Sequence, residues 1–307
     1  MECRPTTARP PAQSTRFVAA FILASMLFAL GQFHRSSGSV LSSVFAADFA
    51  LRSNQIGVVI GIMFLAQGLG QIPAGILIDR YGTRRALTGM GIVAATGCAI
   101  VAASGHWGML MLGRALIGFG FSAAVMGGFK LFAAWVSEDA TTSITGRYLF
   151  CGMLGGLLAT TPLTLMLEEY GWRMVFVIFC TGTATVALLF YLVVRDAPPG
   201  AEIVPQRKLE SLKDSLRGVA SVFATRKVWP LLLAAPMLYT PVQILAGLWA
   251  LPYLADMHGL DPLQRSYCLI VLIVFLSLGP LVYGTLDRRV RSRRQLIVIG
   301  AALMGLD

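Results

Sequence analysis

Eight stretches of this chain run almost without charge for long enough to cross a bilayer, at positions 17–47, 54–78, 86–104, 107–135, 145–167, 171–194, 229–255 and 264–286. A helix rises ~1.5 Å per residue and must cover ~30 Å of hydrocarbon, so each run suffices for one crossing. No other feature restricts the fold as tightly. The runs are continuous rather than alternating, which excludes barrel strands, and a helix satisfies its own backbone hydrogen bonds where water is absent. The expected fold is an all-α polytopic membrane protein. Composition agrees, with 13% charged residues where a soluble domain carries roughly 25%. A ninth apolar run opens near Gln295 and reaches only Asp307, too short to cross. The chain is therefore expected to be truncated within a ninth helix.

A net charge of +10 would suggest a nucleic-acid partner in a soluble protein. Its distribution excludes that reading. The cations gather before the first run (Arg4, Arg9, Arg16), between the second and third (Arg80, Arg84, Arg85), after the sixth (Arg195 to Lys227) and after the eighth (Arg288 to Arg294). Only Arg52, Arg173 and Arg265 fall on the other side. The positive-inside rule then places the N-terminus in the cytoplasm, with a bacterial inner membrane as the expected location. A secretory leader is the disfavoured reading of the first run, because further spans follow it directly. Cys3, Cys98, Cys151, Cys180 and Cys268 are scattered, with neither metal-ligand nor disulfide spacing, and read as small apolar residues. No cofactor is implied.

The polar segment divides the chain. Residues 1–16 read as a cytoplasmic tail, 17–194 as a six-helix bundle, 195–228 as a cytoplasmic linker with APPG near its start, and 229–307 as a partial second bundle. The linker's second half, KLESLKDSLRGVASVFA, has the pattern of an amphipathic surface helix. The two sets look related. Asp79 and Arg80 close the second span, and Asp287 and Arg288 close the eighth. Internal repeats of this kind mark transporters, with the site between them.

The stretch GILIDRYGTRR carries Gly75, Asp79, Arg80, Gly82, Arg84 and Arg85. It resembles the G-x-x-x-D-R-x-G-x-R-R pattern between helices 2 and 3 of the major facilitator superfamily. LGRALIGFG (Leu112 to Gly120), GMLGGLLATTP (Gly152 to Pro162) and GWRMVF (Gly171 to Phe176) resemble that family's elements in helices 4, 5 and 6. The resemblance implies the major facilitator fold, with a complete N-terminal half and part of the C-terminal half. It also implies alternating access, with the hinge as a latch in which Asp79 pairs across to the opposite half. Gly57 and Gly61, and Gly152 and Gly156, are spaced by four and suit close helix approach. Pro236, Pro241 and Pro252 are expected to break the seventh span.

Charges inside spans are costly and mark function. Arg35, Arg114, Lys130 and, near an inner end, Arg147 are all cationic, whereas every acid lies in a loop or at a span end. A buried cation without an acid favours an anionic ligand. Arg35 is the main candidate, near the middle of the first span with Gln32 and His34 beside it; its planar fork suits carboxylate or phosphate. Arg114 and Lys130 are sixteen residues apart, so at 100° per residue they point to nearly opposite helix faces. Gln67, Gln71, Tyr239, Gln243 and Trp249 could add contacts to a solute. Arg147 reads as an interfacial anchor.

Arg35, Arg114 and the Phe129–Lys130 pair look most like the anion-cation symporter branch, which implies a secondary transporter for a small organic anion. Proton-coupled members of that branch carry acids where this chain has His34 and Phe121. A proton remains the coupling ion only if His34 has taken over that role. Drug efflux and a non-transporting fragment or sensor are the competing readings. An intramembrane hydrolase is disfavoured, because no serine has a recognisable nucleophile setting, so the chain is not expected to be an enzyme. No G-x-x-x-x-G-K-[ST] motif occurs, so no direct nucleotide drive is implied.

Overall fold

A computed structural model describes residues 15–197 and 250–286, together with scattered positions between 218 and 249. Gln243, Asp287 and Arg288 lie outside the described residues, as do Pro236, Tyr239, Pro241 and the run from Gln295.

The first expected span is α1 (Thr15–Ser36) continued by α2 (Gly38–Phe49). Ser37 between them keeps near-helical angles, and its amide still donates to the Phe33 carbonyl at 2.8 Å. The serine-rich SSGSVLSS segment stays helical in an apolar setting because its hydroxyls bond back onto the helix. Ser37, Ser39, Ser42 and Ser43 each donate to the carbonyl three residues earlier, so these donors need no external partner.

The second and third spans form one element, α3 (Ser53–Ala102), folded back at Gly82. The fourth is α4 (Trp107–Phe121) followed by α5 (Ala124–Trp135). The fifth is α6 (Glu138–Leu158) with the start of α7 (Thr161–Val193), whose remainder, after Gly171, is the sixth. Gly82 and Gly171 have φ of +82° and +72°, a region where a Cβ is strained, so glycine permits both abrupt reversals. α8 (Ala250–His258) and α9 (Pro262–Leu286) complete the described helices. Pro252 falls in the first turn of α8, where a missing amide costs no helical hydrogen bond.

Two buried clusters hold the bundle. One, at the hinge end, packs Phe17, Leu87, Phe132, Trp135, Tyr148 and Phe190. The other, toward the opposite end, packs Phe45, Met63, Ile117, Trp172 and Phe176. Tyr148 is fully buried yet satisfied, since its hydroxyl donates to the Ala124 carbonyl at 2.7 Å. Large apolar side chains such as Leu65, Leu69, Leu165 and Leu192 face outward, the expected exterior of a protein dissolved in lipid. Helix contacts depend on glycine: a Cβ on Gly118 would collide with the Met63 carbonyl, and one on Gly155 with that of Ala29. Gly152 fits against the Phe28 ring. Gly57 and Gly61 make no such contact among the described residues, where nothing lies within 4 Å of a Cβ built on either. Their spacing of four lies on an open face of α3 rather than in a helix seam.

Beyond the six spans, α9 packs on α6. Ala250, Leu269 and Ile273 form a third small core with Leu157 and Leu251, and Leu251 also touches the cluster opposite the hinge.

Candidate functional site

Arg35 lies near mid-span. It is 14 residues from the end of α2 at Phe49, about 21 Å along the helix at ~1.5 Å per residue. The side chain is half-buried, its Nη1 donating to Gln32 Oε1 at a long 3.4 Å. Its guanidinium carbon stands 5.8 Å from the centre of the Phe64 ring. Its Nε is buried and has no hydrogen-bond partner among the described residues. A cation held by one long bond and one ring retains most of its capacity for an anion.

His34 turns away from Arg35, since neighbouring helical residues diverge by ~100°. It is fully buried, with Nε2 3.5 Å from Cys98 Sγ and its ring stacked on Phe121 and Phe176. The aromatic Phe121, standing where the symporter branch has an acid, is thus a packing partner of His34.

Arg114 has 0% exposure, and none of its three guanidinium nitrogens has a hydrogen-bond partner among the described residues. Its helix is drawn against α3 through Gly97 and Gly113, which fixes the guanidinium inside the bundle, away from any open surface. The structure therefore puts Arg35, but neither His34 nor Arg114, on an accessible face.

Lys130 lies elsewhere. Its ammonium is 2.5 Å from Asp79 Oδ1 and donates to the Ile78 carbonyl at 3.3 Å. Asp79 thus pairs within the first six spans. The two side chains are 47% and 79% exposed, so the pair contributes no more than about 1 kcal/mol. This places Lys130 at the hinge and not beside Arg35.

The rest of the hinge is clamped to the end of α7. Gly82 lets the Asp196 carboxylate approach so closely that any Cβ would strike it. The Arg84 amide donates to Asp196 Oδ1 at 2.7 Å, and its Nε donates to the Tyr191 carbonyl at 2.5 Å. The Arg84 guanidinium also lies 4.5 Å from the Tyr191 ring centre. Arg80 stands over Tyr81, Arg85 is exposed, and Gly75 faces Met126. Sequence reasoning missed Asp196, whose position 112 residues after Arg84 gives no local signal. At the opposite end, Asp48 accepts from Trp172 Nε1 and Arg173 Nη1, both at 3.1 Å, tying α2 to α7. Asp48 too read only as a loop acid.

An apolar exterior around buried cations is the arrangement of a polytopic membrane protein. Residues 17–306 match the sequence model of the Major Facilitator Superfamily, and the chain belongs to that family. It is 30% identical over 189 residues to the uncharacterized transporter YgaY of Escherichia coli O157:H7, covering 61% of this chain and 43% of the relative. It thus spans less than half the length of that protein. It is 24% identical over 305 residues to the 3-(3-hydroxy-phenyl)propionate transporter of Escherichia coli strain K12, covering 97% of this chain and 72% of the relative. The hexuronate transporter of the same strain is 20% identical over 294 residues, covering 90% and 68%. Among solved structures, a bacterial homologue of the human lysosomal transporter Spinster, in an inward-facing and unoccupied conformation, superposes with a TM-score of 0.63 at 18% identity, covering 91% of this chain and 64% of that one. A D-xylose-proton symporter gives 0.62 at 15% identity, covering 89% and 70%.

Proposed function

We propose that this chain belongs to a secondary transporter for a small organic anion, working by alternating access in a bacterial inner membrane with its N-terminus in the cytoplasm. The observation that carries the reading is Arg35: a mid-span guanidinium, half-exposed, with one long hydrogen bond and no acid in the interior of any span. Arg114, buried with no hydrogen-bond partner among the described residues, adds positive potential that a bound anion would offset. Relatives named for hexuronate, sulfoacetate and 3-(3-hydroxy-phenyl)propionate, all anions, support the same class. In this reading residues 17–194 form one bundle, 195–228 a linker and 229–307 part of a second. The hinge with Gly75, Asp79, Arg80, Gly82, Arg84 and Arg85 is the latch, mirrored at Asp287 and Arg288.

The test is thermal unfolding of the purified chain with a panel of carboxylates and phosphorylated solutes, alongside Arg35→Ala and Arg35→Lys. Stabilisation by a carboxylate is expected in the parent, absent in Arg35→Ala and weakened in Arg35→Lys. Equal stabilisation of all three removes Arg35 from the site.

A further inference from the structure

The face of α3 that carries Phe64, the ring against Arg35, is nearly bare of other large side chains. On α3, Gly57, Gly61, Phe64, Gly68 and Gln71 recur at spacings of four and three, which is one helix face. A Cβ on Gly57, Gly61 or Gly68 would meet nothing within 4 Å among the described residues. This face borders the outward apolar stripe of Val58, Leu65, Leu69 and Ile72. It is distinct from the buried stripe of Val59, Met63, Gly70 and Ala74. Phe64 projects from the glycine wall toward the Arg35 guanidinium, 5.8 Å from its ring centre. One turn toward the hinge, Gln67 holds its Oε1 buried without a hydrogen-bond partner among the described residues.

These features read a solute in three parts. Arg35 takes an anionic group. A flat apolar body fits beside the ring, in the space the glycines leave, where it gains both area burial and an offset ring contact. The Gln67 carbonyl accepts one hydrogen bond from a donor on that body, and a buried acceptor left unmet costs binding. A sugar acid would set most of its hydroxyls against Phe64 and the glycines, which offer them no side-chain hydrogen-bond partner. We infer that Phe64 and Gln67 are specificity-determining residues that select an aromatic carboxylate bearing a hydroxyl over a sugar acid. The inference rests on the Arg35 anion reading.

The experiment measures binding of four probes to the purified chain by titration calorimetry: 3-phenylpropionate, its 3-hydroxyphenyl analogue, glucuronate and uncharged 2-phenylethanol. The hydroxylated aromatic acid is expected to bind at least tenfold more tightly than glucuronate. Phe64→Leu, which keeps an apolar side chain and removes the ring, should erase most of that preference while leaving glucuronate unchanged. Gln67→Met should remove only the advantage of the hydroxylated acid over 3-phenylpropionate. Glucuronate binding as tightly as the aromatic acids, or Phe64→Leu weakening both classes equally, overturns the specificity assignment and leaves the anion reading standing. Phenylethanol binding as tightly as the acids, or none of the acids binding, overturns the anion reading and this inference together.

Discussion

At the scale of single residues, Arg114 and Arg35 are the same side chain in two settings. Arg114 loses its hydration and regains no hydrogen bond among the described residues, while Arg35 keeps a partly open face. Replacing a buried ion with an apolar residue of similar volume is often neutral or stabilising. Arg114→Met is therefore expected to unfold at the same temperature as the parent or higher, while weakening carboxylate binding severalfold. A large drop in melting temperature would show a bracing partner for Arg114. Which cations lie inside spans was legible from the sequence. Their directions were not, because one helix position separates Arg35 from His34 and only packing against Cys98, Phe121 and Phe176 decides which side chain is enclosed. Gln32 was recognised from its place beside Arg35, whereas Phe64 was not, since a phenylalanine in an apolar run carries no signal of its own.

At the scale of elements, the glycines divide into those under contact and those on an open face. Gly61→Ala removes a helix-weakening residue where nothing lies within 4 Å, so a gain of up to about 1 kcal/mol in thermal unfolding is expected. Gly118→Leu must displace the Met63 backbone and is expected to yield no monodisperse protein on size-exclusion chromatography. Gly82→Ala meets both a positive φ and the Asp196 carboxylate, and about 1–2 kcal/mol of lost stability is expected from the backbone term alone. The six runs between 17 and 194, and the eighth, were visible as hydropathy. That two pairs of runs would join through glycine into α3 and α7 was not, because backbone φ leaves no mark on hydropathy. Helix spacing alone also assigned Gly57 and Gly61 to a seam, since spacing fixes a shared face without fixing what that face meets.

At the scale of the whole molecule, the charge asymmetry predicts which ends share a compartment. Gly105, in the turn before α4, lies at the end opposite the hinge. A cysteine placed there is expected to react with a membrane-impermeant maleimide in intact cells well above the parent's background, whereas one at Tyr81 in the hinge is not. The reverse pattern inverts the orientation. The clamp of Asp196 on Arg84 joins the hinge to the start of the linker segment, and no local pattern announced it. Long-range pairs of this kind are set by how spans stack, which single-span hydropathy does not encode.

Two cations without interior acids have an electrical consequence. A bundle carrying Arg35 and Arg114 is more positive empty than after binding a monovalent anion. Displacing one elementary charge through 100 mV is worth ~2.3 kcal/mol. In the proposed transport cycle the membrane potential would then act more strongly on the unloaded reorientation than on the loaded step, so voltage would govern how quickly the carrier resets between turnovers.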